Sequence, residues 1–168
     1  SNKTNINIKI YIYSIEDIDE LLMTFTSEVR ISVRWRDQRI IFRNLAQGKK
    51  VLSKVWHDQI WLPPLYFSNT KENKQILNGN YVEVAIISLG QPLFNKISEL
   101  NEANIFKGEE NDLELLSWNT ATFNCDFELW MYPFDVQYCS VDVKIPLELR
   151  NYTTLNPIEF IYTGTYIP

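Results

Sequence analysis

Cys125 and Cys139 are the residues of this chain with the most covalent chemistry to offer, and they enclose 13 residues. A disulfide closing a loop of that length gains about 3 kcal/mol in the chain-entropy view; the alternative is a pair of free thiols. The sequons Asn2-Lys3-Thr4 and Asn151-Tyr152-Thr153 make Asn2 and Asn151 candidate glycosylation sites. Together with a bridge they favour an oxidising, extracellular setting. Hydrolytic and metal chemistry have little to work with. His57 is the only histidine, and no Ser-His-Asp, metal-ligand or phosphate-loop spacing surrounds it. The chain therefore reads as no enzyme, with no catalytic residue, no metal and no cofactor. The acidic clusters Glu16-Asp17-Asp19-Glu20 and Glu109-Glu110-Asp112-Glu114 suit solvated faces, and of the two the first has the better claim to a functional role.

The elements that must hold these residues follow from composition and periodicity. The 168 residues, 45% apolar and 14% aromatic with five glycines, suit one domain over residues 1–168 with a sizeable core. A net charge of −5 without a dense basic run speaks against a nucleic-acid partner. No run reaches the ~18–20 apolar residues of a membrane-spanning helix, and the start lacks a signal-peptide core. A mature or trimmed chain would look the same.

Ile6, Ile8, Ile10 and Ile12 alternate with Asn5, Asn7, Lys9 and Tyr11, which predicts a half-buried strand. Val29, Ile31, Val33 and Trp35 alternate with charged residues and predict a second. Further strands are expected at 51–56, 81–89, 115–129, 136–145 and 158–162, where β-branched and aromatic residues concentrate. Turn chemistry at Gly48, Pro63-Pro64, Asn78-Gly79-Asn80, Gly108 and Asn151 separates them. Seven short strands imply an all-β sandwich. The stretch 93–111 fits neither period and is expected to be a short helix or an irregular excursion.

The segment from Cys125 to Cys139 resembles the signature loop of Cys-loop receptors, the pentameric ligand-gated ion channels. Tyr132, Pro133, Phe134, Asp135 and Gln137 stand where that pattern has them. Trp35-Arg36-Asp37-Gln38-Arg39-Ile40 looks like the family's Trp-x-Asp-x-x-Leu segment, and Ile60-Trp61-Leu62-Pro63 resembles its Ile-Trp-x-Pro-Asp segment, with Pro64 in place of the Asp. Asn69 falls at the family's position as well. The resemblance implies an immunoglobulin-like β-sandwich, the extracellular domain of such a receptor, cut before its last two strands and carrying no transmembrane segment. It also implies Cys125–Cys139 as a bridge between two strands. Glu16 and Asp17 fall in the expected loop between the first two strands, at the membrane end. With Tyr132, Pro133, Phe134 and Asp135 they are candidates for coupling to the channel. Glu16 and Asp17 could instead merely solvate a turn, and Phe134 could pack in the core rather than form an apolar tip.

By the same resemblance the ligand lies between adjacent subunits. Tyr66, Phe67, Ser68 and Pro146 are implied on the principal side, and Arg30, Ser32, Leu116 and Trp118 on the complementary side. Pro146 stands where the family usually has an aromatic, so a full aromatic cage for an amine transmitter is not expected, and acetylcholine should fail. Arg30 stands where relatives have an aromatic. It could meet a carboxylate or phosphate, or be a solvated strand charge. The implied partners are a small ligand, identical or homologous subunits in a pentamer, and a transmembrane channel domain. The implied place is the extracellular side of the plasma membrane. The competing reading is a soluble secreted binding protein of the same fold, like the acetylcholine-binding proteins.

Overall fold

The computed structural model describes residues 3–57, 59–71, 74–93 and 104–163. The isoleucine alternation does build the first strand, β1 (Thr4–Asp19), and the Val/Ile/Trp alternation builds β2 (Thr24–Trp35), which pairs antiparallel with it. On the other side β2 pairs with β8 (Asp112–Asn124) without a break, from Thr24 opposite Asn124 to Trp35 opposite Leu113. β6 (Tyr81–Ser88) joins β8, and β4 (Gly48–Val51) joins β6. Two short parallel strands, β10 (Thr153–Leu155) and β11 (Glu159–Tyr162), lie along the free edge of β1. These seven strands form one sheet.

The inner face of this sheet is apolar because every second residue is. Ile6, Ile8 and Ile10, Val29, Ile31, Val33 and Trp35, Val84 and Ile86, and Leu113, Leu115 and Phe123 are all buried. Each such side chain gains about 1.5–3 kcal/mol on leaving water, and a one-residue slip of any strand would turn its whole set outward. That fixes the register. The second layer is thin: a pair of β3 (Ile41–Arg43) with β7 (Ile105–Lys107), and a pair of β5 (Tyr66–Phe67) with β9 (Val143–Lys144). Around them Leu65, Ile76, Phe127, Val141 and Ile145 close the same core. Buried polar groups pin a turn beneath it. Ser117 Oγ donates to the Ile76 carbonyl at 2.5 Å, and Asn119 Nδ2 donates to Ser117 Oγ at 2.9 Å. The molecule is an all-β sandwich, as expected.

Several local expectations need correction. β1 does not stop near Ile12. It continues to Asp19 through register shifts between Ile12 and Ser14 and between Glu16 and Asp19. Glu16 and Asp17 therefore belong to the strand end rather than to the loop, and the turn proper is 20–23. Asp19 Oδ1 shapes that turn by accepting from the Leu21 and Leu22 amides at 3.0 and 2.8 Å. The expected strand at 51–56 ends at Val51, and Lys54–His57 forms one helical turn, α1. The strand expected at 115–129 begins earlier and ends at Asn124, and of 136–145 only Val143–Lys144 is strand. Cys125 and Cys139 thus tether loop arms and not two strands. In the excursion at 93–111, Ile105 enters β7, while Phe94, Ile97 and Leu100 lie outside the described residues.

Phe123 is the aromatic hub of the core, fully buried and 5.4 and 5.2 Å, ring centre to ring centre, from Phe25 and Phe67. Replacing it with alanine is expected to cost about 3–5 kcal/mol, read as a lower urea midpoint at unchanged slope. A loss below about 1 kcal/mol would mean that the two layers are not joined through this ring.

Candidate functional site

The end of the sheet where β2 starts and β8 stops carries two apolar projections. One is the turn 20–23, with Leu21 95% exposed. The other is the loop closed by the Cys125–Cys139 disulfide, whose Cα atoms are 5.3 Å apart. The two are joined at their roots, since the Cys125 amide donates to the Met23 carbonyl at 2.8 Å. Within the loop, Trp130, Tyr132, Phe134, Val136 and Tyr138 are exposed, Phe134 at 85%. Phe134 is therefore an apolar tip and not a core residue. Pro133, after a cis peptide bond, is exposed as well, and Asp135 is half-buried.

A side chain does the work of a strand partner across this loop. Gln137 Oε1 accepts from the Glu128 amide at 2.9 Å, while its Nε2 donates to the Glu128 carbonyl at 3.0 Å and to Asp135. One glutamine thus satisfies both backbone groups of a residue that no strand faces, so the arms stay close without a ladder. Asn69 clasps the returning arm from the second layer. Its Nδ2 donates to the Ser140 carbonyl at 2.7 Å, and its Oδ1 accepts from the Asp142 amide at 3.0 Å. Glu16 and Asp17 are exposed at the same end of the sheet as the loop.

The outer face of the sheet holds the second cluster. Register aligns Ile161, Tyr11, Arg30, Trp118 and Tyr81 across β11, β1, β2, β8 and β6. The Arg30 guanidinium carbon lies 4.2 Å from the centre of the Tyr11 ring, 5.3 Å from that of Trp118 and 5.7 Å from that of Tyr13. Tyr13 and Trp118 are themselves 5.0 Å apart. The next row pairs Ser32 with Leu116. Ser32 is buried, its hydroxyl satisfied by donating to Glu114 at 3.1 Å, and Leu116 is half-buried.

Beside this row sits an ion network. Glu114, nearly buried, takes Arg34 Nε at 2.8 Å and Lys49 Nζ at 3.2 Å, and Lys49 also reaches Glu83 at 2.7 Å. Burial alone would raise the Glu114 pKa, but the hydrogen bonds from Arg34 and Lys49 outweigh it and hold the carboxyl below the ordinary glutamate value. Asp37, bridged by Arg39, is likewise held low, chiefly by the hydrogen bond from that guanidinium.

The implied principal-side residues lie elsewhere. Tyr66 and Ser68 are half-buried in and beside β5, in the second layer, and Pro146 is half-buried after β9. Phe67 is fully buried against Phe123 and has no surface to offer a ligand. Arg30 and Trp118 are thus brought together, as are Ser32 and Leu116, but the two implied sides occupy opposite faces of the main sheet. The tyrosines Tyr11, Tyr13 and Tyr81 carry no site signal in the sequence, because strand register brings them together. Tyr11 was visible as the polar partner in the isoleucine alternation, yet its place beside Arg30 depends on register. Asn151 is exposed at the end of the sheet away from the bridged loop, where Tyr152 accepts from the Thr4 amide at 2.9 Å; Asn2 lies outside the described residues.

Residues 1–154 match the neurotransmitter-gated ion-channel ligand binding domain. The chain is 29% identical over 164 residues to the gamma-aminobutyric acid receptor subunit beta-4 of Gallus gallus, covering 97% of this chain and 28% of that protein. It is 24% identical over 136 residues to the glutamate-gated chloride channel of Drosophila melanogaster, covering 81% of this chain and 25% of that one. The chain belongs to the neurotransmitter-gated ion-channel ligand-binding domain family, that of the Cys-loop receptors, and it spans about a quarter of the length of these relatives.

The low pKa of Glu114 makes stability depend on acid. A carboxyl whose folded pKa lies below its unfolded value, about 4.3 for glutamate, contributes fully above that value and loses the contribution as pH falls through the folded one. Glu114→Gln is therefore expected to lower the urea midpoint near neutral pH, and the gap from the unsubstituted chain should shrink as pH falls below about 4. A gap independent of pH would show that the network contributes nothing through charge.

Proposed function

We propose that this chain is the extracellular sensing domain of a pentameric ligand-gated channel, which takes a small ligand between adjacent copies and passes the change to a pore through the Cys125–Cys139 loop. The observation that carries this reading is the apolar end. Leu21 and Phe134 are almost fully exposed, and the loops that bear them are tied together by the bond from Cys125 to Met23. A freely soluble protein gains nothing from such a surface, which is why the channel reading is preferred to that of a secreted binding protein. Glu16, Asp17 and Asp135 flank this end with negative charge that basic groups of a membrane domain could pair. Tyr132 and Pro133 shape the tip.

The placement of the ligand between copies is supported by the separation of the two implied sides. Tyr66, Ser68 and Pro146 belong to the second layer, while Arg30, Ser32, Leu116 and Trp118 belong to the main sheet and its outer face. One copy cannot close the site alone, whereas the second layer of one copy set against the outer face of the next would. The relatives named for gamma-aminobutyric acid and glutamate favour a small amino acid as the ligand class. A ligand drives opening only by its difference in affinity for the closed and open forms.

Phe134→Ala in the full-length channel is expected to raise the agonist concentration for half-maximal current by about tenfold or to reduce maximal current, with surface expression unchanged. A coupling of that size lies within the usual allosteric range of about 1–3 kcal/mol. Normal gating with normal surface expression would remove the loop from the coupling path.

A further inference from the structure

At the end of the sheet away from the bridged loop lies a cavity of about 790 Å³, a size that suits a small organic group. Trp35 and Trp61 line it, edge to face with ring centres 6.5 Å apart. The Trp35 indole N–H is buried and finds no hydrogen-bond partner. The exposed amides of Asn5, Asn7 and Gln38 line it as well. Its charges are largely cancelled: Arg36 donates to Asp112 at 2.5 Å, Arg39 to Asp37 at 2.6 Å, and Lys3 to the Arg150 carbonyl at 3.2 Å. Both sequons border this cavity. Lys3 and Thr4 of the first and Tyr152 and Thr153 of the second line it, and the two sequon threonines are register partners across β1 and β10. Asn151 is exposed in the turn before β10, as a glycan acceptor must be. Its chain neighbours fix it at the rim, Arg150 through the bond from Lys3 and Tyr152 through the bond from the Thr4 amide at 2.9 Å.

We propose that Asn151 carries an N-linked glycan whose first sugar rings lie in this cavity rather than in solvent. The proposal rests on the extracellular reading, since such sugars are added to chains that enter the secretory route. In the transfer the Asn151 side-chain nitrogen bonds to the anomeric carbon of an oligosaccharide carried on a polyisoprenyl diphosphate. The carbon–oxygen bond to the diphosphate breaks, and the amide gives up one proton. In the folded chain Thr153 is buried and its hydroxyl donates to the Leu149 carbonyl at 2.8 Å, so the transfer precedes the pairing of β10 with β1. A sugar ring is neutral, which suits a wall whose charges are already paired. Its C–H face packs on an indole such as Trp61, and its hydroxyl and acetamido groups both donate and accept, which suits the free amides and the orphan Trp35 donor. A buried donor left without an acceptor is costly, so an occupant that supplies one adds stability.

The experiment uses the full-length receptor purified from animal cells, with the sugar at each sequon read by mass spectrometry of its glycopeptides. Sugar is expected at Asn151, and peptide-N-glycosidase should release it about tenfold or more slower from native than from denatured receptor, because the rings must first leave the cavity. Asn5→Ala and Gln38→Ala shorten exposed side chains on the cavity wall and should each speed native release by about twofold to tenfold, the range for one lost hydrogen bond. Asn151→Gln should lower the melting temperature, and adding Asn5→Ala to it should lower it no further. If that variant fails to assemble, the release rates of the sugar-bearing receptors decide alone. Receptor that reaches the surface and gates with no sugar at Asn151 would overturn the proposal and leave the sensing-domain reading standing. A chain that never enters the secretory route would overturn both. Sugar at Asn151 released equally fast from native and denatured receptor would be a solvated glycan and would overturn its seat in the cavity. Protection of a sugar at Asn2 alone would overturn Asn151 as its source.

Discussion

The unbroken pairing of β2 with β8 is the constraint on which the rest of the structure depends. It runs from Thr24 opposite Asn124 to Trp35 opposite Leu113 without a bulge. Because neighbouring residues on a strand face opposite ways, this single register decides both surfaces at once. On the inner face it stacks Val29, Ile31, Val33 and Trp35 beside Leu113, Leu115 and Phe123 as the floor of the core. On the outer face it sets Arg30 against Trp118, and Ser32 and Arg34 beside Glu114. At its end it leaves Met23 and Cys125 close enough to bond, so the turn 20–23 and the bridged loop leave the sheet from one place.

The three regions so created differ in what stabilises them. The core is held by burial, which is large and insensitive to charge. The outer face is held by ion pairs and cation–π contacts, which are half-exposed and individually small. The apolar end is a local cost, since its exposed rings and leucines gain nothing from water. A sandwich this regular can tolerate that cost because the bridged loop is braced by Gln137 and Asn69 and draws little on the ladder.

Much of this was legible in the residues. The alternation of isoleucines and valines gave away β1 and β2, and the spacing and content of 125–139 gave away the family. What stayed hidden has physical causes. The far half of β1 is obscured because register shifts after Ile12 and Glu16 break the period of two. The arms of the bridged loop carry the strand-like side chains Phe127, Val136 and Val141, yet Gln137 satisfies the backbone in place of a ladder. β3, β5, β7, β9 and β10 are two or three residues long, too short for any period to show. Resemblance alone puts Phe67 in the cleft, but its ring is core, fully buried against Phe123. The tyrosines around Arg30 come from separate strands, and no spacing along the chain predicts their meeting.

The claim that the second layer of one copy meets the outer face of the next is tested most directly by cross-linking. Receptor copies carrying Arg30→Cys are co-expressed with copies carrying Tyr66→Cys, and interchain disulfides are read on a non-reducing gel. The account predicts covalent dimers that appear only when both variants are present. Assembled receptor that forms no such dimers, while both cysteines react freely with a small thiol reagent, would contradict it.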